Sequence, residues 1–374
     1  MGKIIAVIIV SCLFISKIQA QYSLADKSAT EETKTLYQNL AKQARKGFMF
    51  GHQDDLAYGI GWRNIDGESD VKKVSGEYPA VFGWDLGHLE LDSTKNLDGV
   101  PFEKIKAYIQ QVHAQGGVNT ITWHLRNPVN GKSAWDVDST VKHILVGGKK
   151  YSVYESWLAK VATFLGNLKD KQGKAIPVIF RPFHEHNGSW FWWGKKHCSP
   201  DEYKELYQHL VRYMASKNVH NLIYAYSTDY FSDEKDYFER YPNDQFVDIL
   251  GFDIYHRNAP QSNERFIQDV DRMLNSIENY AQKHHKLTAI TETGLEQITE
   301  KNWWTDILLK SIGGHKISYV LVWRNGRPDH YYAPYPNQLS AENFKYFIQQ
   351  PHIFLERKTK TSKLYQKQPI AKKK

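Results

Sequence analysis

The residue types best suited to chemistry are concentrated in residues 181–194, RPFHEHNGSWFWWG. Within this stretch Glu185 has a histidine on each side, His184 and His186, and three tryptophans follow within eight residues. Aromatic surroundings solvate a carboxylate poorly, so we expect the pKa of Glu185 to be raised and the side chain to be protonated. A protonated glutamate can act as a general acid. The alternative is a buried aromatic cluster that contains one ion-paired glutamate.

A second glutamate completes the apparatus for one type of reaction. Glu292 lies in residues 290–294, ITETG, where threonine hydroxyls, together with Tyr255, can keep it ionised. Two carboxyl groups cleave a glycosidic bond when one protonates the leaving oxygen and the other attacks the anomeric carbon or activates water. The pattern predicts Glu185 as the acid/base and Glu292 as the nucleophile. Asp253 is the alternative nucleophile, and Glu292 taken alone could belong to a structural ion pair.

These side chains need a frame that brings distant parts of the chain together. Apolar runs predict eight strands, at 48–51, 80–84, 118–123, 177–181, 222–226, 247–252, 287–291 and 319–323. Helical patterns cover 28–46, 101–115, 152–170, 200–217, 263–284, 301–312 and 340–349, and the pattern at 229–246 is the weakest. Such alternation is typical of a parallel sheet, and eight units predict a single-domain (β/α)8 TIM barrel. An open doubly wound sheet is the alternative, but no glycine-rich phosphate motif follows the first strand.

The ends of the predicted strands are polar or aromatic, whereas their middles are apolar. Glu185 follows the fourth strand and Glu292 follows the seventh. In barrels of this kind the chemistry takes place at the C-terminal ends of the strands, so we expect the two glutamates to meet across the mouth. Long insertions are expected to shape a binding cleft there, at 54–78, 125–150, 227–246 and 325–339.

The net charge of +8 comes from the two ends of the chain. Residues 357–374 carry eight basic side chains and residues 1–20 carry two, with no acidic residue in either segment. This leaves 39 basic and 41 acidic residues in 21–356, a balance that does not indicate a nucleic-acid partner. We expect 21–356 to be the catalytic domain and 357–374 to be a solvated basic tail. Aromatic residues make up 14% of the chain, and their faces suit stacking on sugar rings.

Residues 1–20 have the pattern of a secretory signal peptide. Lys3 precedes an apolar run, and Ala20 is a small residue at the cleavage point. This predicts export across the inner membrane to the periplasm or the cell surface. Residues before Cys12 loosely resemble a lipoprotein signal, so a lipid anchor on Cys12 is the alternative. After cleavage only Cys198 remains, which excludes an internal disulfide and a cysteine-based metal site.

The two glutamate motifs resemble those of glycoside hydrolase family 26, whose main activity is endo-β-1,4-mannanase, and the similarity runs over most of 40–340. It implies a (β/α)8 barrel and a retaining hydrolase with Glu185 as acid/base and Glu292 as nucleophile. No metal or cofactor is implied. His184 would bind near the sugar 2-hydroxyl, and Trp190 would bound the pocket of the sugar under attack. His186 departs from the methionine that often follows the acid/base.

The resemblance implies further contacts with substrate. The matching positions are His124, Tyr255, Trp323 and Arg324. Trp193 is expected to stack on a more distant sugar, and Trp62, Trp84, Trp135 and Trp192 suit either stacking or core packing. The predicted partner is β-mannan polysaccharide or manno-oligosaccharides, with no nucleic acid and no stable protein partner.

Several alternatives share the same residues. On this scaffold they are a mannobiose-releasing exo-acting mannanase, a β-1,3-xylanase and a mixed-linkage β-glucanase. A non-catalytic polysaccharide-binding protein is an alternative of a different class. A zinc site is a further alternative, since the ligand types are present in Asp85, His88, His124 and His184.

Overall fold

Eight parallel strands pair side by side, and the last returns to the first, so the sheet closes into a barrel. The computed structural model describes residues 22–367, so the predicted signal peptide and Cys12 lie outside the described residues. The strands are β1 (Phe48–Gln53), β2 (Val81–Asp85), β3 (Val118–Trp123), β4 (Val178–Pro182), β5 (Leu222–Thr228), β6 (Ile249–His256), β7 (Leu287–Leu295) and β8 (Tyr319–Val322). Every neighbouring pair is parallel, including β8 with β1. The predicted (β/α)8 barrel is confirmed.

Helices separate the strands. They lie at Glu31–Ala44, Asp70–Ser75, Phe102–Gln115, Val141–Ile144, Tyr151–Gly166, Pro200–Ser216, Glu234–Phe238, Asn263–His284, Lys310–Ile312, Ala341–Gln349 and Glu356–Ser362, with a π-helix at Trp303–Leu309. Local sequence sets their ends, as where Ser199 and Glu202 form a reciprocal capping box. The weak pattern at 229–246 yields only the short helix Glu234–Phe238. Between residues 22 and 367, no helix combines the length and apolar character needed to cross a bilayer.

Apolar side chains form one core outside the strand wall and another inside it. The outer core lies between strands and helices. Alternate strand residues fill the interior, among them Met49, Val81, Val118, Ile179 and Ile249. Leu36 and Leu40 of the helix Glu31–Ala44 are fully buried in the same interior cluster. This helix therefore closes the N-terminal end of the barrel, which leaves the C-terminal end as the open mouth.

The segment after residue 356 belongs to the fold. Glu356–Ser362 is helical, and Leu364 beyond it is buried in the interior cluster. The hydroxyl of Tyr365 donates to the carbonyl of Gly117, 2.7 Å away. The prediction of a solvated tail is therefore wrong for residues 357–367, because two apolar side chains anchor a segment whose composition is mainly basic. The remaining residues of that prediction lie outside the described part of the chain.

Two strands run four residues further toward the mouth than their apolar pattern predicts. β6 continues to His256 and β7 to Leu295, past the predicted ends at 252 and 291. An irregularity follows Phe252, after which Asp253 lies opposite Glu292. The register thus places two acidic side chains on neighbouring strands at the same height.

Candidate active site

Three carboxyl groups converge at the mouth of the barrel. They belong to Glu185 after β4, Asp253 on β6 and Glu292 on β7, and one carboxyl oxygen of each lies within 4.8 Å of the others. The structure therefore brings together the two glutamates singled out by the sequence, with Asp253 as a third member.

Glu185 is held in an unusual backbone conformation. Its φ of 53° lies in the left-handed region that glutamate seldom adopts, and its amide donates to the carbonyl of Ser227 at 3.0 Å. The indole N–H of Trp190 donates to Oε2 at 2.7 Å, which leaves Oε1 to carry a proton. Desolvation, followed by repulsion from Asp253 and Glu292, raises the pKa of Glu185 well above its ordinary value. These surroundings suit an acid that is protonated at neutral pH.

A buried arginine joins the other two carboxylates. Nη1 of Arg181 lies 2.7 Å from Oδ2 of Asp253, and Nη2 bonds to Oε1 of Glu292. The planar guanidinium suits this task because its donors point in fixed directions. Arg181 lies in the motif at residues 181–194, where its function was not predicted. The signal was available, because an arginine within an apolar strand requires acidic partners.

Glu292 receives donors on both oxygens. Besides Arg181, the hydroxyl of Tyr255 donates to Oε2 at 2.8 Å, so the contact with Glu292 expected of Tyr255 is present. The expected threonine contacts are not, because Thr291 and Thr293 donate to Asp253 and to the carbonyl of Ile254. Burial raises the pKa of Glu292, and attraction to Arg181 opposes the increase. No cation among the described residues lowers the pKa of Glu185 in a comparable way. A proton shared by the pair therefore resides on Glu185, and Glu292 is the ionised member.

Asp253 is fully buried, and the protein itself uses its oxygens. Arg181 occupies Oδ2, while the hydroxyls of Ser227 and Thr291 donate to Oδ1 at 2.9 and 2.6 Å. Asp253 therefore anchors the guanidinium, and Glu292 is the carboxylate better placed to meet a substrate.

The positive charge at this centre comes from the protein. Within residues 22–367, the three converging carboxyl groups are the set whose spacing could hold a metal ion. Arg181 already bridges Asp253 and Glu292. The alternative zinc set is not brought together within the described residues, and its Asp85 and His124 bond to each other instead, with 2.5 Å between Oδ2 and Nδ1.

Two histidines form the wall beside the glutamates. His124, at the end of β3, and His184, after β4, are both buried, and their Nε2 atoms lie 3.1 Å apart. The ring of Trp323 lies 6.4 Å from that of His124, and its side chain is half-buried. The sequence-predicted positions His124, His184 and Trp323 thus gather on one side of the mouth.

The two tryptophans of the motif that were assigned to substrate have different surroundings. Trp190 is 39% exposed beside Glu185, as a pocket wall requires. Trp193 is fully buried, and its indole N–H donates to the carbonyl of His184 at 2.8 Å. The prediction that Trp193 stacks on a sugar is wrong, because Phe191 packs against its face with ring centres 4.5 Å apart. Trp193 instead supports the backbone just before Glu185.

Arg324 lies at the mouth but is already paired. Its guanidinium lies 2.9 Å from Oδ1 of Asp98 and 3.4 Å from the hydroxyl of Tyr58. Burial raises the pKa of Asp54, which accepts from Tyr58, to about 8. Any contact of Arg324 with a substrate must therefore share the guanidinium with Asp98.

One exposed tryptophan provides a surface suited to stacking, whereas its sequence position is compatible with either stacking or core packing. Trp135, in the loop after β3, is 50% exposed and stacks on the ring of His124 with an angle of 14° between planes. Its free face is therefore open beside the histidine wall. The other tryptophans in that undecided group, Trp62, Trp84 and Trp192, are buried and belong to the core.

The chain is similar to known glycoside hydrolases over most of its length. The model of the family described as glycosyl hydrolase family 26 matches residues 25–329. A mannan endo-1,4-beta-mannosidase of Bifidobacterium adolescentis is 36% identical over 280 residues, which cover 73% of this chain and 28% of that protein. A mannan endo-1,4-beta-mannosidase of Bacillus subtilis is 34% identical, with coverages of 55% and 57%. The chain thus spans about a quarter to somewhat over half the length of these relatives.

Solved structures extend the similarity over nearly the whole chain. A beta-mannanase of family 26 from Bacteroides ovatus superposes with a TM-score of 0.85 and 46% identity, covering 88% of this chain and 96% of that one. The catalytic domain of an endo-beta-1,4-mannanase from Bacillus sp. JAMB-750 gives a TM-score of 0.86 at 31% identity, with coverages of 92% and 96%.

Proposed function

This chain belongs to glycosyl hydrolase family 26, and we propose that it is a retaining endo-β-1,4-mannanase that hydrolyses mannan, galactomannan or glucomannan. The observation that carries the proposal is the spacing of Glu185 and Glu292, since one carboxyl oxygen of each lies within 4.8 Å of the other. Retaining glycosidases have carboxyl groups about 5–5.5 Å apart, whereas inverting enzymes leave about 6.5–9.5 Å for a water molecule. The similarity to mannanases supports mannan as substrate.

The first step breaks the glycosidic bond. Protonated Glu185 gives its proton to the oxygen that links two sugars, while the carboxylate of Glu292 attacks the anomeric carbon from the opposite side. The C–O bond to the leaving sugar breaks as the bond to Glu292 forms. Arg181 and Tyr255 hold the attacking carboxylate in place and limit its rotation. The products of this step are a shortened chain and a mannosyl ester of Glu292.

The second step restores the enzyme. Glu185, now a carboxylate, takes a proton from water, and the resulting hydroxide attacks the anomeric carbon. The ester bond breaks and Glu292 regains its charge. Two inversions at the same carbon leave the product with the configuration of the substrate. Trp190 donates to Glu185 throughout, which keeps the carboxyl group oriented while its proton leaves and returns.

The reaction can be tested by substrate choice and stereochemistry. We expect hydrolysis of β-1,4-mannan in preference to xylan and lichenan, with the β-anomer appearing first in proton NMR spectra of the products. A mixture of short manno-oligosaccharides would support endo action, whereas mannobiose alone would indicate the exo-acting alternative. Binding to mannan without any hydrolysis would overturn the enzymatic assignment in favour of a binding protein.

Two substitutions separate the roles of the glutamates. Glu292→Ala is expected to lower kcat by about four orders of magnitude or more on every substrate. Glu185→Ala should abolish hydrolysis of mannan but retain cleavage of an aryl β-mannobioside whose leaving group needs no proton. Glu296→Ala, an exposed glutamate four residues beyond Glu292, is a matched control and should retain activity. Full hydrolysis by Glu292→Ala would contradict the assignment.

We also propose that the protein is exported to the periplasm or the cell surface. The support is the basic start, apolar run and terminal small residue of the segment 1–20. Mass spectrometry of the mature protein from its native host should find an N-terminus that follows Ala20. An N-terminus at Cys12 that carries lipid would support the anchored alternative, and an intact leader on cytoplasmic protein would contradict export.

A further inference from the structure

A chain of three side chains leads from the side of the barrel to the glutamate pair. Asp85, at the end of β2, accepts from Thr122 at 2.6 Å and from the amide of Gly87 at 2.6 Å, so its carboxylate is fixed. Its Oδ2 lies 2.5 Å from Nδ1 of His124. The Nε2 of His124 lies in turn 3.1 Å from Nε2 of His184, which immediately precedes Glu185. All three members of the chain are buried.

The contact between His124 and His184 restricts which nitrogen atoms of the two rings carry protons. Two imidazole nitrogens at hydrogen-bond distance need one donor and one acceptor. Since Asp85 takes the N–H at Nδ1 of His124, a protonated His124 donates to His184, and the proton of His184 then lies on its Nδ1. A neutral His124 accepts instead, and the proton of His184 moves to Nε2. The charge of His124 therefore selects the tautomer of His184.

The surroundings favour the charged form of His124 and the neutral form of His184. The charged or titratable groups that face His124 are Asp85, Asp98, His184 and Glu292. Burial disfavours the cation, but attraction to Asp85, the hydrogen bond with Asp85 and attraction to Glu292 and Asp98 together outweigh burial and raise the pKa of His124. Burial, followed by repulsion from Arg181, holds the pKa of His184 well below its ordinary value.

We propose that Asp85 is a positioning residue that keeps His124 protonated and thereby fixes the tautomer of His184 beside the acid/base. The inference rests on the proposed function for its effect on rate, but its effect on the histidines is a property of the free protein. Mannan hydrolysis then depends on a third ionisation besides those of the two glutamates. In the tautomer selected by protonated His124, the proton of His184 lies on Nδ1. This atom is buried and has no hydrogen-bond partner among the described residues.

Nitrogen NMR of histidine-labelled protein tests the first part. In the wild type we expect the His124 signals, assigned with His124→Gln, to be mainly those of an imidazolium at pH 6.5, because its pKa is raised from that value, and His184 to stay protonated on Nδ1. In Asp85→Asn, His124 should lose its proton at lower pH and His184 should change tautomer. Neutral His124 in the wild type at pH 6 would overturn the proposal, whether or not the variant folds and whether or not mannan is hydrolysed.

The rate profile tests the second part. Relative to wild type, the kcat/KM of Asp85→Asn should fall about tenfold more at pH 8 than at pH 5, since a pKa lowered by one unit changes the protonated fraction tenfold. Asp248→Asn is the control, because Asp248 is equally buried at the closed end of the barrel. It should alter stability without changing the shape of the profile. An equal loss at both pH values in Asp85→Asn would overturn the proposal.

Discussion

Arg181 decides which of the two glutamates is charged. Its guanidinium bonds to Glu292, whereas Glu185 receives only the uncharged N–H of Trp190. Two carboxyl groups this close cannot both ionise readily, so a cation beside one of them separates their roles. Asp253 contributes by holding the other arm of the guanidinium. The difference between the two proposed roles, acid for Glu185 and nucleophile for Glu292, thus comes from the side chains around them.

Arg181→Lys tests this account. One ammonium keeps the charge but cannot bridge Asp253 and Glu292 as the fork does, so we expect kcat/KM to fall by about tenfold to a hundredfold. The pKa of Glu292 should rise when its cation is displaced. Because Glu292 must be ionised to attack, the acidic limb of the kcat/KM profile should move to higher pH.

Arg240→Lys is the matched control for this measurement. Arg240 is also fully buried, but it bonds to Cys198 and to the carbonyl of Trp193. Its replacement should lower stability without moving the acidic limb. An unmoved limb in Arg181→Lys would contradict the proposed control of Glu292.

His186 directly follows Glu185 in the sequence and lowers the stability of the protein at low pH. Its ring lies between those of Tyr203 and Tyr226, with centres 4.2 and 4.7 Å away, and neither nitrogen has a partner among the described residues. Burial holds its pKa well below the ordinary 6.5. The unfolded chain therefore binds a proton that the folded chain does not as pH falls below 6.5, and stability is lost there.

Replacing His186 by methionine should relieve this cost. His186→Met is expected to raise Tm, with a gain that grows from pH 8 to pH 5 by up to about 2 kcal/mol in the free energy of unfolding. Thermal unfolding at the two pH values measures the difference. A gain of the same size at both would mean that packing, rather than protonation, is responsible.

At the scale of elements, the loop after β4 holds the acid and its tryptophan in a fixed relation. Gly188 lies between Glu185 and Trp190, and a Cβ there would lie 2.3 Å from the Trp190 ring. The absence of a side chain at this position is what allows the indole to reach the glutamate.

Gly188→Ala should therefore displace the indole. With the hydrogen bond to protonated Glu185 lost, we expect kcat/KM on mannan to fall by up to about tenfold, since a hydrogen bond between uncharged groups contributes about 0.5–1.5 kcal/mol. Gly314→Ala is the control, because nothing lies within 4 Å of a Cβ there. Wild-type kinetics in Gly188→Ala would contradict a role for the Trp190 contact.

The sequence predicted the strands well in their apolar parts and poorly where they enter the site. All eight strands lie at the predicted places, because burial on both faces requires continuous apolar runs. The ends of β6 and β7 were missed, since residues such as Asp253 and Glu292 are selected for the site rather than for strand propensity. Side-chain direction in a loop was equally hidden, so the burial of Trp193 could not be foreseen.

At the scale of the whole molecule, both ends of the described chain help to close the barrel. The amide of Ala25 donates to Asp248 just before β6, and the side chain of Asn39 donates to the carbonyl of Leu364. The pairing is between residues more than 200 positions apart. Local composition does not reveal contacts between such distant residues, so the basic composition of the C-terminal segment predicts a solvated tail.

Leu364 provides a test of that closure. Leu364→Ala should destabilise the protein by about 2–5 kcal/mol, because it removes a fully buried side chain from the interior cluster. Leu339→Ala, at a position 55% exposed, should change stability by less than about 0.5 kcal/mol. Chemical denaturation measures both. Below the unfolding transition, kcat of Leu364→Ala should equal that of the wild type, and similar stabilities for the two variants would show that the segment does not contribute.

Both ends of the described chain lie at the closed end of the barrel, and this determines the orientation of a protein attached through either end. Residues near both ends, Tyr22 against His285 and Tyr365 against Gly117, lie on the face opposite Glu185 and Glu292. A flexible tether or an added module joined at either end would hold that face toward the attachment point. The cleft would then face away from the attachment point, whichever end is attached.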